Sequence, residues 1–316
     1  LGLLPLLAVY AARAHGSACH FADAVLAGLI GGLMIVIKPH FALAALSPLL
    51  AVMVRQGSLR PAFHAENSTE RYERFSIITP SVSTHNDQNL NAGVRKTLYR
   101  IRNEAIRTYP FAHFHGKSVF DDSVISLIQR FWPSDEKFSS ITSTGRVHAD
   151  RRVDRVMISI DALTESALLS PVESMFWSNF SAAVRSREFI GSILDWLWPE
   201  IIKVRVLPEN FLIYSDLILT EDSVGYEIGP HTDAPSRLVT LLFYAPESCE
   251  SPEAGTSIYV PRSVISARGP SAIHWKHEDF YELFRAPFLP NSFLGFVVGP
   301  HSYHGVEPVE RLRTSR

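Results

Sequence analysis

The spacing of apolar positions changes twice along this chain. Leu1 to Ala12 is almost wholly apolar, Ala24 to Ile37 forms a second apolar run and Phe41 to Val54 a third, with Lys38-Pro39-His40 between the last two. Each run is shorter than the ~20 residues a straight membrane-spanning helix needs. Their clustering still predicts a hydrophobic, membrane-associated helical segment over residues 1–60; a buried helical hairpin is the alternative. A secretory signal fits poorly, because no basic start is present and several runs occur. Arg55 and Arg60 follow the last run, and the positive-inside tendency then expects the downstream part in the cytoplasm, anchored through residues 1–60. A start at Leu1 is read as a fragment, or as an upstream piece joined to a different downstream domain.

From about Pro61 to Asn91 the chain turns polar with little periodicity, which predicts a linker. Ala92 to Arg107 then carries helical spacing, so residues 61–104 read as linker plus lead-in helix and residues 105–316 as one further domain. Helices are expected over Asp122 to Phe131 and within Pro171 to Trp198, where the stripe Phe176, Trp177 and Phe180 should face a core. After Glu200 the pattern becomes short β-rich runs bounded by Pro, Gly, Asp or Ser. These are Val204 to Val206, Phe211 to Thr220, Leu238 to Ala245, Thr256 to Val260 and Phe293 to Val298. The expected fold class is mainly β: a sandwich or jelly roll with flanking helices.

Composition narrows the partners. The 316 residues hold 30 basic and 32 acidic side chains, with no basic stripe to bind nucleic acid. The only cysteines, Cys19 and Cys249, form no disulfide or zinc-finger pattern, so a reducing compartment is expected.

Candidate chemistry lies near the C-terminus. In His231-Thr232-Asp233, residues at i and i+2 of a strand point to one face, so an imidazole and a carboxylate can reach one metal ion together. His304, far along the chain, would complete a two-histidine, one-carboxylate facial set with open positions. His301 is the nearby competitor. His274, Trp275 and His277 read as a polar insertion, either a substrate-facing lid or a surface loop.

Four segments appear in order: Gly225-Tyr226-Glu227-Ile228-Gly229-Pro230-His231-Thr232-Asp233, Gly255-Thr256-Ser257-Ile258-Tyr259-Val260-Pro261, Phe288-Leu289-Pro290-Asn291-Ser292 and His304-Gly305-Val306-Glu307-Pro308-Val309. Together they resemble the iron(II)- and 2-oxoglutarate-dependent dioxygenases, closest to the prolyl 4-hydroxylase-like branch. The resemblance covers roughly Tyr109 to Arg316. It implies a double-stranded β-helix with the metal at its open mouth, ligated by His231, Asp233 and His304. It implies Fe(II), 2-oxoglutarate and O2 as the reaction's requirements, with hydroxylation of a C–H bond and release of succinate and CO2. The far carboxylate of 2-oxoglutarate would meet Arg313, with Ser315 beside it and Arg311 or Arg316 as substitutes, because a guanidinium holds a carboxylate with two donors. Tyr226 would hydrogen-bond the co-substrate or fill the barrel. The family continues with another strand after the position of Arg316, so a truncated or inactive member is an expectation kept open. The substrate is expected to be a small molecule or a peptide. A catalytically degenerate jelly-roll binding module on a membrane protein fragment is the alternative function.

Overall fold

The structure is a computed structural model and describes residues 32–40, 75–79, 88–140, 155–166, 169–208, 211–246, 251–263 and 274–309. The helices among them are α1 (Gln88–Arg102), α2 (Asp122–Arg130), α3 (Ile160–Glu165), α4 (Pro171–Val184) and α5 (Arg187–Val204). The large sheet is built from β3 (His113–Lys117), β11 (Ser292–Val297), β8 (Val239–Tyr244), β1 (Gly32–His40), β6 (Phe211–Asp222), β5 (Arg155–Ser159) and β4 (Ser139–Ser140), in that spatial order, with β2 (Phe75–Ile77) also paired to β6. The small sheet runs β10 (Phe280–Arg285), β9 (Ser257–Pro261), β12 (His304–Val306), β7 (Ile228–His231). Every pairing is antiparallel except β2 with β6. The fold is therefore mixed α/β, with antiparallel sheets and no closed barrel among the described residues.

Side-chain alternation explains the layering. In β8, Val239, Leu241 and Phe243 join a core shared with Trp177, Phe180, Leu194 and Leu197 of α4 and α5. The intervening Leu242 and Tyr244 join a second core with Ile228, Ile258 and Val306 of the small sheet. In β11, Phe293 and Val297 face the helices and Leu294 and Phe296 face the small sheet. A strand covered on both faces is apolar at nearly every position, so Val239–Tyr244, Thr240 apart, reads as a continuous run and not as an alternation. The order is thus helices, large sheet, small sheet. As expected, Phe176, Trp177 and Phe180 are buried in the helix–sheet core.

Helix starts follow local chemistry. Ser170 caps α4 in a reciprocal box with Glu173, followed by Pro171 whose missing N–H is no loss in the first turn; Ser186 caps α5 by accepting from the Phe189 N–H at 3.1 Å. The turn before β11 holds Asn291 at φ 57°, and its amide both accepts from the Phe120 N–H (2.8 Å) and donates to the Phe120 carbonyl (3.0 Å).

Two sequence expectations are corrected. Within the expected helical segment of residues 1–60, Gly32–His40 is a strand, paired antiparallel with β6 over its whole length and with β8 over Gly32–Ile37. A short apolar run satisfies a buried helix and a central strand equally, so its period could not decide between them. Lys38 to His40 lie beyond the β8 pairing, so Pro39 deprives only one neighbour of a donor. The rest of residues 1–60 lies outside the described residues, and no described helix is long and apolar enough to cross a membrane. The second correction concerns Val204 to Val206: Val204 closes α5 and Arg205 is extended without joining a sheet. β10, in turn, was not expected at all. Its exposed Tyr281, Glu282 and Leu283 break the apolar–polar alternation that marks a strand.

Candidate metal centre

His231 is the last residue of β7 and His304 the first of β12, and the two are directly opposite in the ladder between these strands. Their ring centroids are 4.4 Å apart. Asp233 follows just past the end of β7, so the turn, and not an extended strand, carries the carboxylate round to the histidines. One ligand atom from each of His231, Asp233 and His304 lies within 4.8 Å of the others, and all three residues are buried. The cluster can hold a metal ion.

The hydrogen bonds set the imidazoles up as ligands. His231 Nδ1 is 2.9 Å from the Gly229 carbonyl and His304 Nδ1 is 2.9 Å from the Ser302 carbonyl. A carbonyl only accepts, so each Nδ1 carries the proton and each Nε2 presents a lone pair. Both Nε2 atoms are buried without a hydrogen-bond partner. One buried, unsatisfied polar atom costs ~1–3 kcal/mol. Two of them facing a buried carboxylate fit a missing cation better than they fit a packed core.

The chain makes room for this approach with glycines. A Cβ on Gly229 would sit 2.0 Å from the Trp275 carbonyl oxygen, and one on Gly305 would sit 2.4 Å from the Ile228 carbonyl oxygen. The Trp275 N–H donates to the Pro230 carbonyl at 2.9 Å, which holds Trp275 and its neighbour His274 against β7. His304 also packs on Phe296, with centroids 4.5 Å apart, so the apolar interior lies directly beneath it.

Burial pushes His231 well below the usual imidazole range, helped by the neighbouring His304 and His274. Burial lowers His304 too, although the Asp233 charge opposes the shift. Both rings therefore stay neutral at neutral pH, as metal ligation requires. The same burial lowers His113, and it brings His115 down to about 4. In the metal-free protein the unfolded chain takes up these protons near pH 6.5 while the folded chain resists. The unfolded state then binds more protons, so stability falls as pH drops from about 6.5 toward 4. Urea midpoints measured from pH 7.5 down to pH 5 should move steadily to lower urea as the pH falls.

Asp233 is held on both oxygens. The Arg237 guanidinium donates to Oδ1 through Nη1, and Thr240 Oγ1 donates to Oδ2 at 2.6 Å. Arg237 and Thr240 are themselves buried. Sequence reasoning missed both. A faint signal existed: Arg237 stands four residues after Asp233, and Thr240 is the one polar residue of β8. Arg205 ties the same turn to the large sheet, donating to the Pro235 carbonyl and, at 2.9 Å, to the Val298 carbonyl. Burial lowers its pKa to about 10.

The remaining expected site residues fall as follows. Tyr226 is buried in the inter-sheet core, under the Arg155 guanidinium at 4.3 Å. Arg155 pairs with Asp222 in a buried ion pair, its Nη2 at 2.6 Å from Oδ2. His301 is exposed and outside the cluster. His274, expected as loop or lid, lies against the site, its ring centroid 4.8 Å from that of His231. Arg311, Arg313, Ser315 and Arg316 lie outside the described residues.

Fold and site together define a mixed α/β protein with a buried two-histidine, one-carboxylate cluster at the edge of its small sheet. No protein family profile matches the chain, and no curated protein matches it. The functional reading therefore stands on the residues themselves.

Proposed function

We propose that the protein is an Fe(II)- and 2-oxoglutarate-dependent dioxygenase that hydroxylates a C–H bond of a small-molecule or peptide substrate, on a double-stranded β-helix scaffold. The observation that carries this reading is the pair of orphaned, correctly tautomerised Nε2 atoms of His231 and His304 beside the buried Asp233 carboxylate. Two imidazoles and one carboxylate suit Fe(II) and leave adjacent coordination positions free. Two facing sheets with a shared apolar interior are compatible with the proposed scaffold.

Bound Fe(II) would supply the oxidising chemistry: O2 and 2-oxoglutarate are consumed, succinate and CO2 leave, and one C–H becomes C–OH. The chain's own part is to position and to exclude. His231 and His304 offer neutral nitrogens fixed by their Nδ1–H bonds. Asp233 supplies the single negative charge, which favours hydroxylation, because a carboxylate in that position leaves no room for a halide. Phe296, Leu242 and Val306 line the interior behind His304 and keep water from the side where a reactive species would do damage. No substrate specificity is assigned.

The test is succinate formation by the full chain, loaded with Fe(II) and given 2-oxoglutarate in air. The proposal expects iron-dependent succinate that disappears in the His231→Ala protein. Folded, iron-loaded protein that forms none overturns it.

A further inference from the structure

We infer that the outward face of α1 docks on an anionic membrane surface, with Arg95 and Arg102 meeting the headgroups and Tyr99 between them at the lipid–water boundary. α1 lies in the helix layer, where Leu90, Val94, Leu98 and Ile101 join the core shared with the large sheet. That burial fixes which side of the helix is left outside. Arg95, Tyr99 and Arg102 stand at i, i+4 and i+7, so they form one stripe along it. All three are exposed, Tyr99 to 71%. The helix carries no acidic residue. Lys96 reaches across to Asp121 at 2.5 Å, whereas Arg95 and Arg102 make no ion pair among the described residues. Arg100 is half-buried and donates to the Phe120 carbonyl at 2.6 Å, so it stands apart from the stripe.

Charge and aromatic content select the partner. The whole chain has a net charge of -2, yet Arg95 to Tyr109 holds five basic residues against one acidic residue, Glu104. Cations in the last turn of a helix favour its dipole, and Arg102 serves there. Arg95 lies about two turns earlier and has no such use. A local excess of this kind attracts a surface of opposite charge. The tyrosines favour a membrane over other polyanions. Tyr99, and Tyr109 in the turn after the helix at 67% exposed, each join an apolar ring to a polar tip, which suits the headgroup level of a bilayer. The sequence also carries the apolar runs Leu1 to Ala12 and Phe41 to Val54, each too short to span a membrane. One short apolar attachment holds a protein only marginally, and a basic patch is a second signal that makes it stable. The large sheet separates the helix layer from the small sheet, so the docking face is not the face that holds His231 and His304. The inference is independent of the proposed function.

The experiment is co-sedimentation of the full chain with two kinds of vesicle, phosphatidylcholine alone and phosphatidylcholine mixed with phosphatidylserine, titrated to half-binding. The parent should bind the phosphatidylserine vesicles more tightly. The double variant Arg95→Gln, Arg102→Gln should lose about thirtyfold on them, at about fivefold for each cation near an anionic surface, and should bind phosphatidylcholine as the parent does. Both side chains are exposed, so its melting temperature should match the parent's. The control Lys203→Gln, Lys276→Gln removes the same charge from exposed positions elsewhere and should change binding by less than threefold. Salt gives a reading on the unaltered protein. Raising it from about 0.1 M to about 1 M shortens the screening length from about 10 Å to about 3 Å and should abolish the preference for phosphatidylserine. A parent that binds both vesicles equally, or a preference that survives high salt, would overturn the inference. So would a control that weakens binding as much as the α1 variant, because net charge alone would then be at work. A parent that shows no lipid preference but binds a single-stranded DNA oligonucleotide through Arg95 and Arg102 would assign the face to nucleic acid and overturn it as well.

Discussion

An Asp233→Ala protein fails to bind divalent metal at concentrations that saturate the parent, and its metal-free form is less stable than the parent by about 3–5 kcal/mol. Both effects come from one carboxylate. It is the only anionic member of the cluster, so its loss leaves two neutral imidazoles to hold a dication. It is also the partner of the buried Arg237, and removing one half of a buried ion pair leaves the other charge uncompensated. The two effects separate in a double variant. Asp233→Ala with Arg237→Met removes both charges, and replacing both partners of a buried pair by apolar groups is close to neutral. Urea denaturation of the metal-free proteins checks this: the single variant should lose most of a transition's width in stability, and the double variant should recover most of it. Neither should bind metal. A single variant as stable as the parent would mean that Arg237 finds another partner and that the pair is not what orders this turn.

A chain reduced to residues 61–316 does not fold cooperatively. Such a cut would be drawn wherever residues 1–60 are taken as a separate membrane segment. The structure places Gly32–His40 between β6 and β8, with nine paired positions on one side and six on the other. At about 1 kcal/mol net per backbone hydrogen bond, losing this strand rivals the ~5–15 kcal/mol by which a whole domain is stable. It would also uncover two sheet edges, and open edges recruit other chains. β8 carries Thr240, which holds Asp233, so the damage reaches the metal cluster. Thermal melting and size-exclusion chromatography of the two chains decide the matter. The shortened chain should show a broad or absent transition and associate into larger species. A monomer that melts as sharply as the full chain would contradict the pairing of β1.

The cluster of His231, Asp233 and His304, which can hold a metal ion, was legible in the sequence because its signal is local and ordered. His231 and Asp233 are two residues apart, and His304 follows a Pro290-Asn291-Ser292 turn that starts β11. Most helices and strands of the second half were equally legible, since both faces of β8 and β11 are buried and their apolar runs are unmistakable. Arg237 was not legible. Its meaning depends on how the turn from Asp233 folds back, and an arginine in a polar stretch looks like any surface arginine. Thr240 was hidden for a related reason: its role follows from which face of β8 it occupies, and a continuous apolar run does not reveal its faces. β1 was misread because its partners lie some two hundred residues away, and period alone does not distinguish a nine-residue central strand from a piece of helix. His274 was undervalued because the hydrogen bond from Trp275 to Pro230 that brings its segment against β7 leaves no trace in composition.

The most direct test is an anaerobic Co(II) titration of the full chain, followed by visible absorption and compared with His304→Ala. His304 lies in the ladder position facing His231 and makes no ion pair among the described residues, so its loss should leave the fold intact while removing one of the three candidate ligands. One Co(II) per parent chain, with ligand-field bands that vanish in the folded variant, is the result expected of a His231, Asp233 and His304 metal centre. A folded parent that binds no Co(II), or a variant whose bands match the parent's, would contradict it.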